Sequence, residues 1–504
     1  MTHTKKWKYI NLNPGIPALR GLIKVHKEDT PIRPILNFTN APTYNLAKML
    51  ANILMKYIPL PSVYNVQNSV QLMKDLENIP CTPDLRLASL DISSMYTNIP
   101  TNELLDIIEN ACKNDDLEPS MRQEILRLTR LIVTQNYFKF QDKIYLQKDG
   151  LAMGAPTSSA LSENYLQFME NTKIIDILRR SRVDGYYRYV DDILIIYDEN
   201  HTNIEEVQKS FNDITTRLHF TLEWEEDQKI NFLDLTITST ENGLSYDIFR
   251  KHTTSDTIIP HDSCHPLEHK MAAIRYYVNR IETYSLDQDK RQKEMDTVKQ
   301  IIKNNKYKTQ TLNKICNKRE KQEQDNRKKK WARFTYMGKE TRYVMKFFKN
   351  TDVKISYTMN NNLGKLLATR TDQNLDKFER NGVYQLECPS CNKKYFGQTG
   401  HPFRVRFREH YNDYKHGHNK SKFAQHVIDK GHSFGPMNET MEVIHVAKKG
   451  RMLDMLEKFY IYRETKHSNQ INEKLTGQPN PIFEALLQHP PHSRLQPQTR
   501  KNAH

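Results

Sequence analysis

Tyr189-Val-Asp-Asp192 stands between two short β-rich runs, Tyr186 to Val190 and Ile193 to Tyr197, so the two carboxylates fall in a turn between strands. Upstream, Leu85 to Ile92 reads as a strand that runs straight into Asp91. Between them lies a Gly-Pro loop, Gly150-Leu-Ala-Met-Gly-Ala-Pro-Thr-Ser158. The spacing around these segments predicts helices near 101–112 and 118–135, a hairpin over Tyr137 to Leu146, and a helix over Ala160 to Asn171. Ile204, Val207, Phe211, Ile214 and Leu218 fall on one helical face. Strand, helices, hairpin, helix and strand in this order make an α+β domain with an antiparallel sheet.

Three segments in this order carry one chemistry. Metal-assisted nucleotidyl transfer needs two divalent ions about 4 Å apart, one activating a 3′-hydroxyl and one holding a triphosphate. Mg²⁺ takes hard oxygen ligands, so carboxylates from different strands must converge. Asp91 at one strand end and the pair Asp191 and Asp192 in a hairpin turn supply them.

A second constellation lies near the C-terminus. Gly382-Val-Tyr384 and Tyr395-Phe-Gly397 sit on two β-prone runs, and Phe403, Phe407, Tyr411 and Tyr414 form a helical stripe begun by Pro402. Arg406 and His410, four apart, share a neighbouring face. A later helix holds Leu453, Leu456 and Tyr460 on its core stripe, with Glu457 beside them. Phosphodiester hydrolysis needs a base, a cation for the phosphate and a metal for the leaving oxygen, which a tyrosine, an arginine and a glutamate can provide. Cys388 and Cys391, with His426 and His432, have the spacing of a structural Cys₂His₂ zinc site; free thiols and surface histidines are the other reading. The cluster from His261 to His269 has no second ligand pair.

The chain has 504 residues, room for two to four domains, and a formal charge of +15 that suits a polyanionic partner. No apolar run is long enough to cross a bilayer, and Met1 to Ile10 lacks the apolar core of a signal peptide. Six cysteines do not make a disulfide framework, so a reducing compartment is expected. Residues 265–335 read as helical and increasingly charged. The run through Arg327-Lys-Lys-Lys330 is either a solvated helix or linker, or a nucleic-acid or nuclear-import segment. A new core begins near 375, and after about 485 Pro, His and Gln dominate a tail expected to be disordered.

Asp91 and the Tyr-Val-Asp-Asp turn resemble motifs A and C of reverse transcriptases. Gln147-Lys-Asp-Gly-Leu-Ala-Met-Gly-Ala-Pro-Thr-Ser158 resembles their motif B, and Phe232-Leu-Asp-Leu235 resembles the turn that grips the primer. Lys24-Val-His-Lys27, Pro31-Ile-Arg-Pro-Ile35 and the C-terminal module are similar to the pattern of Penelope-like retroelements, over residues 15–485. The C-terminal tyrosines resemble those of GIY-YIG nucleases, with Val383 and Phe396 as variants of the name motifs.

The resemblance implies a right-hand polymerase followed by a small α/β nuclease. Fingers and palm would occupy 1–245, a helical thumb and basic linker 246–335, a connector 336–374, the nuclease with a zinc insert 375–485, and a tail 486–504. It makes Asp91 and Asp191 metal ligands supported by Asp192, with Mg²⁺ or Mn²⁺ as cofactor. Tyr96 would be the steric gate against a ribose 2′-hydroxyl, or a core aromatic. Gly154 would face the incoming nucleotide. Arg33 would clamp the triphosphate or contact RNA, and Lys229 is a proton donor to pyrophosphate or an exposed lysine. In the nuclease, Tyr384 would be the base and Tyr395 would order the site. Arg406 would hold the phosphate with His410 as its partner, Glu457 would hold Mg²⁺, and Asn472 would brace the substrate site. The implied zinc ligands are Cys388, Cys391, His426 and His432. Relatives carry a longer segment ahead of Lys24.

The implied activity is target-primed reverse transcription in the nucleus after cytoplasmic synthesis. Its partners would be template RNA, target DNA and deoxynucleoside triphosphates, with no membrane. Telomerase-like extension of existing ends and a degenerate nucleic-acid-binding copy are the alternatives.

Overall fold

The computed structural model describes residues 9, 11, 14–25, 30–58, 63–80, 82–113, 117–241, 243–313, 315, 330–348, 350–359, 376–418, 420–447, 449–472 and 480–488. His26, Lys27, the basic run up to residue 329, and the tail beyond 488 lie outside the described residues. The fold is mixed α/β and forms two compact units. The larger comprises Pro17–Thr39 and Leu46–Ala368; the smaller comprises Met1–Ile16, Asn40–Asn45 and Thr369–His504. Among the described residues no helix is long and apolar enough to cross a membrane.

The larger unit opens with β1 (Ala18–Ile23), β2 (Ile32–Asn37), helix α1 (Ser69–Leu76) and β3 (Leu85–Ile92). Helices α2 (Thr101–Ala111) and α3 (Pro119–Thr134) follow, the latter with a proline in its first turn, where a missing N–H costs nothing. The expected hairpin is β4 (Tyr137–Phe140) and β5 (Lys143–Leu146). Helix α4 (Ser158–Met169) starts earlier than the sequence suggests and runs into a π-helical segment, Glu170–Ile174.

Strands β6 (Gly185–Tyr189) and β7 (Asp192–Asp198) flank the Asp-Asp turn. Helix α5 (Ile204–Ile214) is capped by Asn203, whose side chain accepts from the Glu205 and Glu206 N–H groups. Leu218 lies beyond the end of α5 yet is buried, so the expected helical stripe is completed by the following turn. Strands β8 (Phe220–Trp224), β9 (Lys229–Phe232), β10 (Leu235–Thr240) and β11 (Gly243–Ile248) precede helices α6 (Leu267–Thr283) and α7 (Gln288–Asn304). The stretch read as linker and connector contains a parallel pair, β12 (Lys330–Thr335) and β13 (Val353–Thr358).

The central sheet has the order β6-β7-β3-β8, all neighbours antiparallel. Its two inner strands, β3 and β7, read as largely apolar runs because both faces are covered. Ala88, Leu90, Ile193 and Ile195 pack into one core with the helices; Leu85, Leu87, Leu194 and Ile196 pack into another with the β9–β11 sheet. Each fully buried Leu or Ile contributes roughly 1.5–3 kcal/mol. Alternation along the strands then puts Asp91 and Asp192, paired across β3 and β7, on the same face as Leu87 and Leu194.

In the smaller unit, β14 (Gly382–Glu387) is the central strand of an antiparallel sheet, β15-β14-β16, with β15 (Lys394–Thr399) and β16 (Met441–Val446) at its edges. Helices α8 (Phe403–Lys415), α9 (Lys422–Asp429) and α10 (Arg451–Lys466) belong to the same unit. Tyr384, Leu386, Phe403, Phe423 and Val427 share its core. Of the aromatic stripe on α8 only Phe403 is fully buried; Phe407, Tyr411 and Tyr414 pack against Phe434.

Candidate active sites and metal centre

Asp91 and Asp192 are register partners across β3 and β7, and Asp191 lies in the turn that precedes β7. The turn is anchored by the Ile92 N–H donating to the Asp191 carbonyl at 3.1 Å. Burial raises the Asp191 carboxyl, and the charge of Asp91 beside it raises it further, while Arg33 and Lys24 act in the opposite direction. The three carboxyl groups stand at adjoining strand ends, the charges of Asp91 and Asp191 repel each other, and carboxylate oxygen is the ligand type that Mg²⁺ or Mn²⁺ takes. Arg33 is exposed on β2, and its charge reaches Asp191.

The Gly-Pro loop is laid between the Asp91 segment and β2. Leu151 N–H donates to the Tyr96 carbonyl at 2.6 Å, and Leu36 N–H donates to the Met153 carbonyl at 2.8 Å. Gly154 has φ +111°, and a Cβ there would stand 2.2 Å from the Leu36 carbonyl oxygen. Its bare α-carbon therefore makes room for β2. Tyr96 is half-buried and packs against the first core. Asp149, which sequence reasoning passed over, ties the loop down. Burial would raise its carboxyl, but the Thr101 and Gly150 N–H groups, each at 2.9 Å, and Arg217 hold it at about 2.

Asp234, in the β9–β10 turn, faces inward. Tyr284 donates to its carboxylate at 2.6 Å, Ser69 of α1 donates to it, and Arg280 of α6 lies 3.5 Å away. A cavity of about 780 Å³ is lined by Asp192, Tyr189, Lys74, Asp234 and Arg280. Lys229 is exposed.

In the smaller unit four of the expected residues meet around one phenol. The Tyr384 hydroxyl is 2.7 Å from His410 Nε2 and accepts from Arg406 Nε at 3.2 Å. Arg406 and His410 are thus joined through Tyr384, while Arg406 Nη1 donates to Glu409 at 2.5 Å. Burial, with the neighbouring Tyr395, pushes the Tyr384 hydroxyl up against the opposing pull of Arg406. Burial, then Arg406, lowers His410 to about 3, so its ring is neutral. His410 Nδ1 is 2.6 Å from Ser421 Oγ, the N-cap of α9. With the ring hydrogen assigned to Nδ1, Nε2 accepts the hydrogen bond of the Tyr384 phenol, whose oxygen in turn accepts from Arg406. Tyr395 packs beside Tyr384, tilted, and edge-to-face against His410, with ring centres at 6.5 and 5.5 Å.

Gly397 of Tyr-Phe-Gly pairs with Tyr384, and a Cβ there would lie 2.4 Å from the Tyr384 hydroxyl. Glu457 on α10 accepts from Gln398 Nε2 at 2.7 Å, and the same amide donates to Asp454 at 2.8 Å. Burial, then Asp454, raises Glu457 over the effect of Gln398. Gln398 Oε1 is a buried acceptor with no hydrogen-bond partner, which a divalent cation beside Glu457 would satisfy. Asn472 makes two bonds to the Phe396 backbone, at 2.8 and 2.7 Å. Its amide thus braces β15.

Cys388, Cys391, His426 and His432 present ligand atoms all within 4.8 Å of one another, the one such group among the described residues. Cys388 Sγ to His432 Nδ1 and Cys391 Sγ to His426 Nε2 are both 3.3 Å. Tetrahedral zinc, with Zn–S near 2.3 Å and Zn–N near 2.0 Å, sets sulfur and nitrogen about 3.5 Å apart, so the donor set fits.

A family profile described as Animal helix-turn-helix domain matches residues 257–317, the segment of α6 and α7. No curated protein matches the chain. Among solved structures it is similar to apo telomerase from Candida Tropicalis truncated from its C-terminal domain (13% identity, 46% of this chain and 55% of that one, TM-score 0.33). It is also similar to telomerase from Candida albicans in complex with a TWJ fragment of telomeric RNA (13%, 60% and 59%, TM-score 0.39). A third is the Sicinivirus 3Dpol RNA-dependent RNA polymerase (12%, 60% and 68%, TM-score 0.37). The chain spans 55% and 59% of the two telomerase chains.

Proposed function

We propose that the chain is a reverse transcriptase joined to a DNA-nicking endonuclease, of the kind encoded by Penelope-like retroelements. The larger unit would be the polymerase, with the central sheet as palm and α6 and α7 in the thumb; the smaller would be a GIY-YIG nuclease. The observation that carries the reading is the in-register pairing of Asp91 with Asp192, with Asp191 in the adjoining turn. Divalent ions held by Asp91, Asp191 and Asp192 would lower the pKa of a primer 3′-hydroxyl and neutralise the triphosphate. Arg33 and Lys24, whose charges reach Asp191, would add positive charge for a triphosphate.

The nuclease half of the reading rests on the convergence of Tyr384, His410 and Arg406, with Glu457 on a neighbouring helix. Tyr384 would be the base for the attacking water, Arg406 would bind the phosphate with His410 as its partner, and Glu457 would hold a divalent metal that supplies charge stabilisation at the leaving oxygen. A nick would then supply the 3′-hydroxyl from which RNA is copied. Zinc at Cys388, Cys391, His426 and His432 would be structural.

The test is primer extension on an RNA template beside nicking of supercoiled plasmid, with the same purified protein. The wild type extends with deoxynucleotides and Mg²⁺ or Mn²⁺ and nicks the plasmid. Asp191→Ala loses extension by about 10³-fold or more while RNA binding is kept. Full extension by Asp191→Ala would end the polymerase reading. Extension without nicking would leave a telomerase-like polymerase, and binding without either activity a degenerate copy.

A further inference from the structure

Arg188, one residue before Tyr189, is wholly buried, with 0% exposure, inside the larger unit. All five of its side-chain N–H groups are engaged. Nε donates to Glu170 at 2.5 Å, and Nη2 donates to Glu170 at 3.1 Å and to Glu163 at 2.8 Å. Nη1 donates to Glu163 at 3.0 Å and to the main-chain carbonyl of Val190 at 3.3 Å. The Arg188 backbone is fixed as well, its N–H on the Tyr64 carbonyl at 2.8 Å and its carbonyl receiving the Val66 N–H at 2.9 Å.

The fifth bond matters most. Val190 has φ +57°, a left-handed conformation that a β-branched residue adopts only when its surroundings enforce it. The carbonyl that Arg188 holds belongs to the peptide joining Val190 to Asp191, so it sets the plane from which the Asp191 side chain departs. The two glutamates lie seven residues apart on α4 and the π-helical segment after it, on the helix that directly follows the Gly-Pro loop. Glu163 also accepts from Asn65 at 3.0 Å, and Tyr186 donates to Glu170 at 3.3 Å, so both carboxylates are held independently of Arg188.

We infer that Arg188 is a positioning residue of the polymerase site, a planar fork that ties the strained Val190–Asp191 turn to the helix behind the Gly-Pro loop. It thereby sets the carboxylates and the loop in one frame. This rests on the polymerase reading above. A guanidinium suits the task because its donors are coplanar and fixed in number; a lysine has three donors on one nitrogen and cannot serve two carboxylates and a carbonyl in one plane.

The test is steady-state and single-turnover primer extension by Arg188→Lys and Glu163→Gln, normalised to active sites, with template–primer affinity and thermal unfolding measured alongside. In Arg188→Lys kcat falls by about 10²-fold, the scale of an ångström-level misplacement, while the KM for deoxynucleotide and template–primer affinity stay at wild-type values. Glu163→Gln, which leaves Arg188 paired with Glu170, shows a smaller loss of the same kind. A purely structural role would lower folded fraction, affinity and rate together. If Arg188→Lys folds and extends at the wild-type kcat, the inference is overturned; if Arg188→Lys does not fold, an unchanged kcat in Glu163→Gln overturns it. A wild-type protein that extends no primer removes the polymerase reading and this inference with it, whereas active wild type with unaffected variants removes the inference alone.

Discussion

The hydroxyl of Tyr384 stands 2.7 Å from Nε2 of His410, and both side chains are buried. Burial followed by the field of Arg406 moves His410 from its ordinary 6.5 to about 3, so the imidazole facing Tyr384 is neutral. The sign follows directly. Below 6.5 the unfolded chain takes up a proton that the folded one refuses, so this group's contribution to stability is complete above 6.5 and is lost as pH falls toward 3. The smaller unit should therefore melt at progressively lower temperature between pH 7 and pH 4. His410→Gln should be less stable at pH 7 but show a flatter profile. Parallel profiles for the two proteins would mean that His410 is not the group responsible.

Tyr96 lies half-buried beneath the Gly-Pro loop, which is bonded to its carbonyl. If its ring closes the space a ribose 2′-hydroxyl would need, Tyr96→Ala should reduce discrimination against ribonucleotides by about 10- to 100-fold, the usual worth of one small group in a fitted pocket. Competitive incorporation of matched deoxy- and ribonucleotides measures it. An active variant with an unchanged ratio would return Tyr96 to the core.

Glu457 lies in a unit with its own core and its own sheet, apart in sequence from Asp91, Asp191 and Asp192. Glu457→Ala should lose nicking of supercoiled DNA by about 10³-fold, the several kcal/mol a divalent ion supplies at a leaving oxygen. It should still extend a ready-made 3′-end at the wild-type rate. Synthesis on intact plasmid should fail and return on a pre-nicked one. Normal nicking by this variant would assign the metal to another ligand.

The Cys388, Cys391, His426 and His432 cluster should hold one zinc per chain, coupled to local folding. Replacing both cysteines by serine should remove the metal and lower the melting temperature of the smaller unit by on the order of 10 °C, since a kcal/mol shifts a small unit by roughly 4–8 °C. Elemental analysis without zinc in well-folded protein would reject the site.

What the sequence disclosed was whatever is local. Asp91 stands near the end of one apolar run and Asp192 at the start of another, and both strands are found, because a strand buried on both faces announces itself as a continuous run. Tyr384, Arg406 and His410 were legible through helical and strand spacing. What stayed hidden depends on partners distant in the chain. Nothing in the run around Arg188 signals that Glu163 and Glu170 will close on it. Ser421 behind His410 and Gln398 beside Glu457 gave no local signal either. Strand β16 escaped because its identity lies in pairing with β14, some sixty residues earlier. The parallel strands β12 and β13 were read as linker and connector for the same reason.

Gly154 and Gly397 contribute no acid, base or ligand, yet each keeps open the space a neighbour occupies, the Leu36 carbonyl in one unit and the Tyr384 hydroxyl in the other. Decline at these positions has no gradual course. A methyl group at either forces strand or ring aside while every charged residue stays in place. A copy of this gene could thus lose one activity through a glycine-to-alanine change and still display an intact set of aspartates, or an intact tyrosine, arginine and glutamate. A census of catalytic side chains would count such a copy as competent, and only these two absences would betray it.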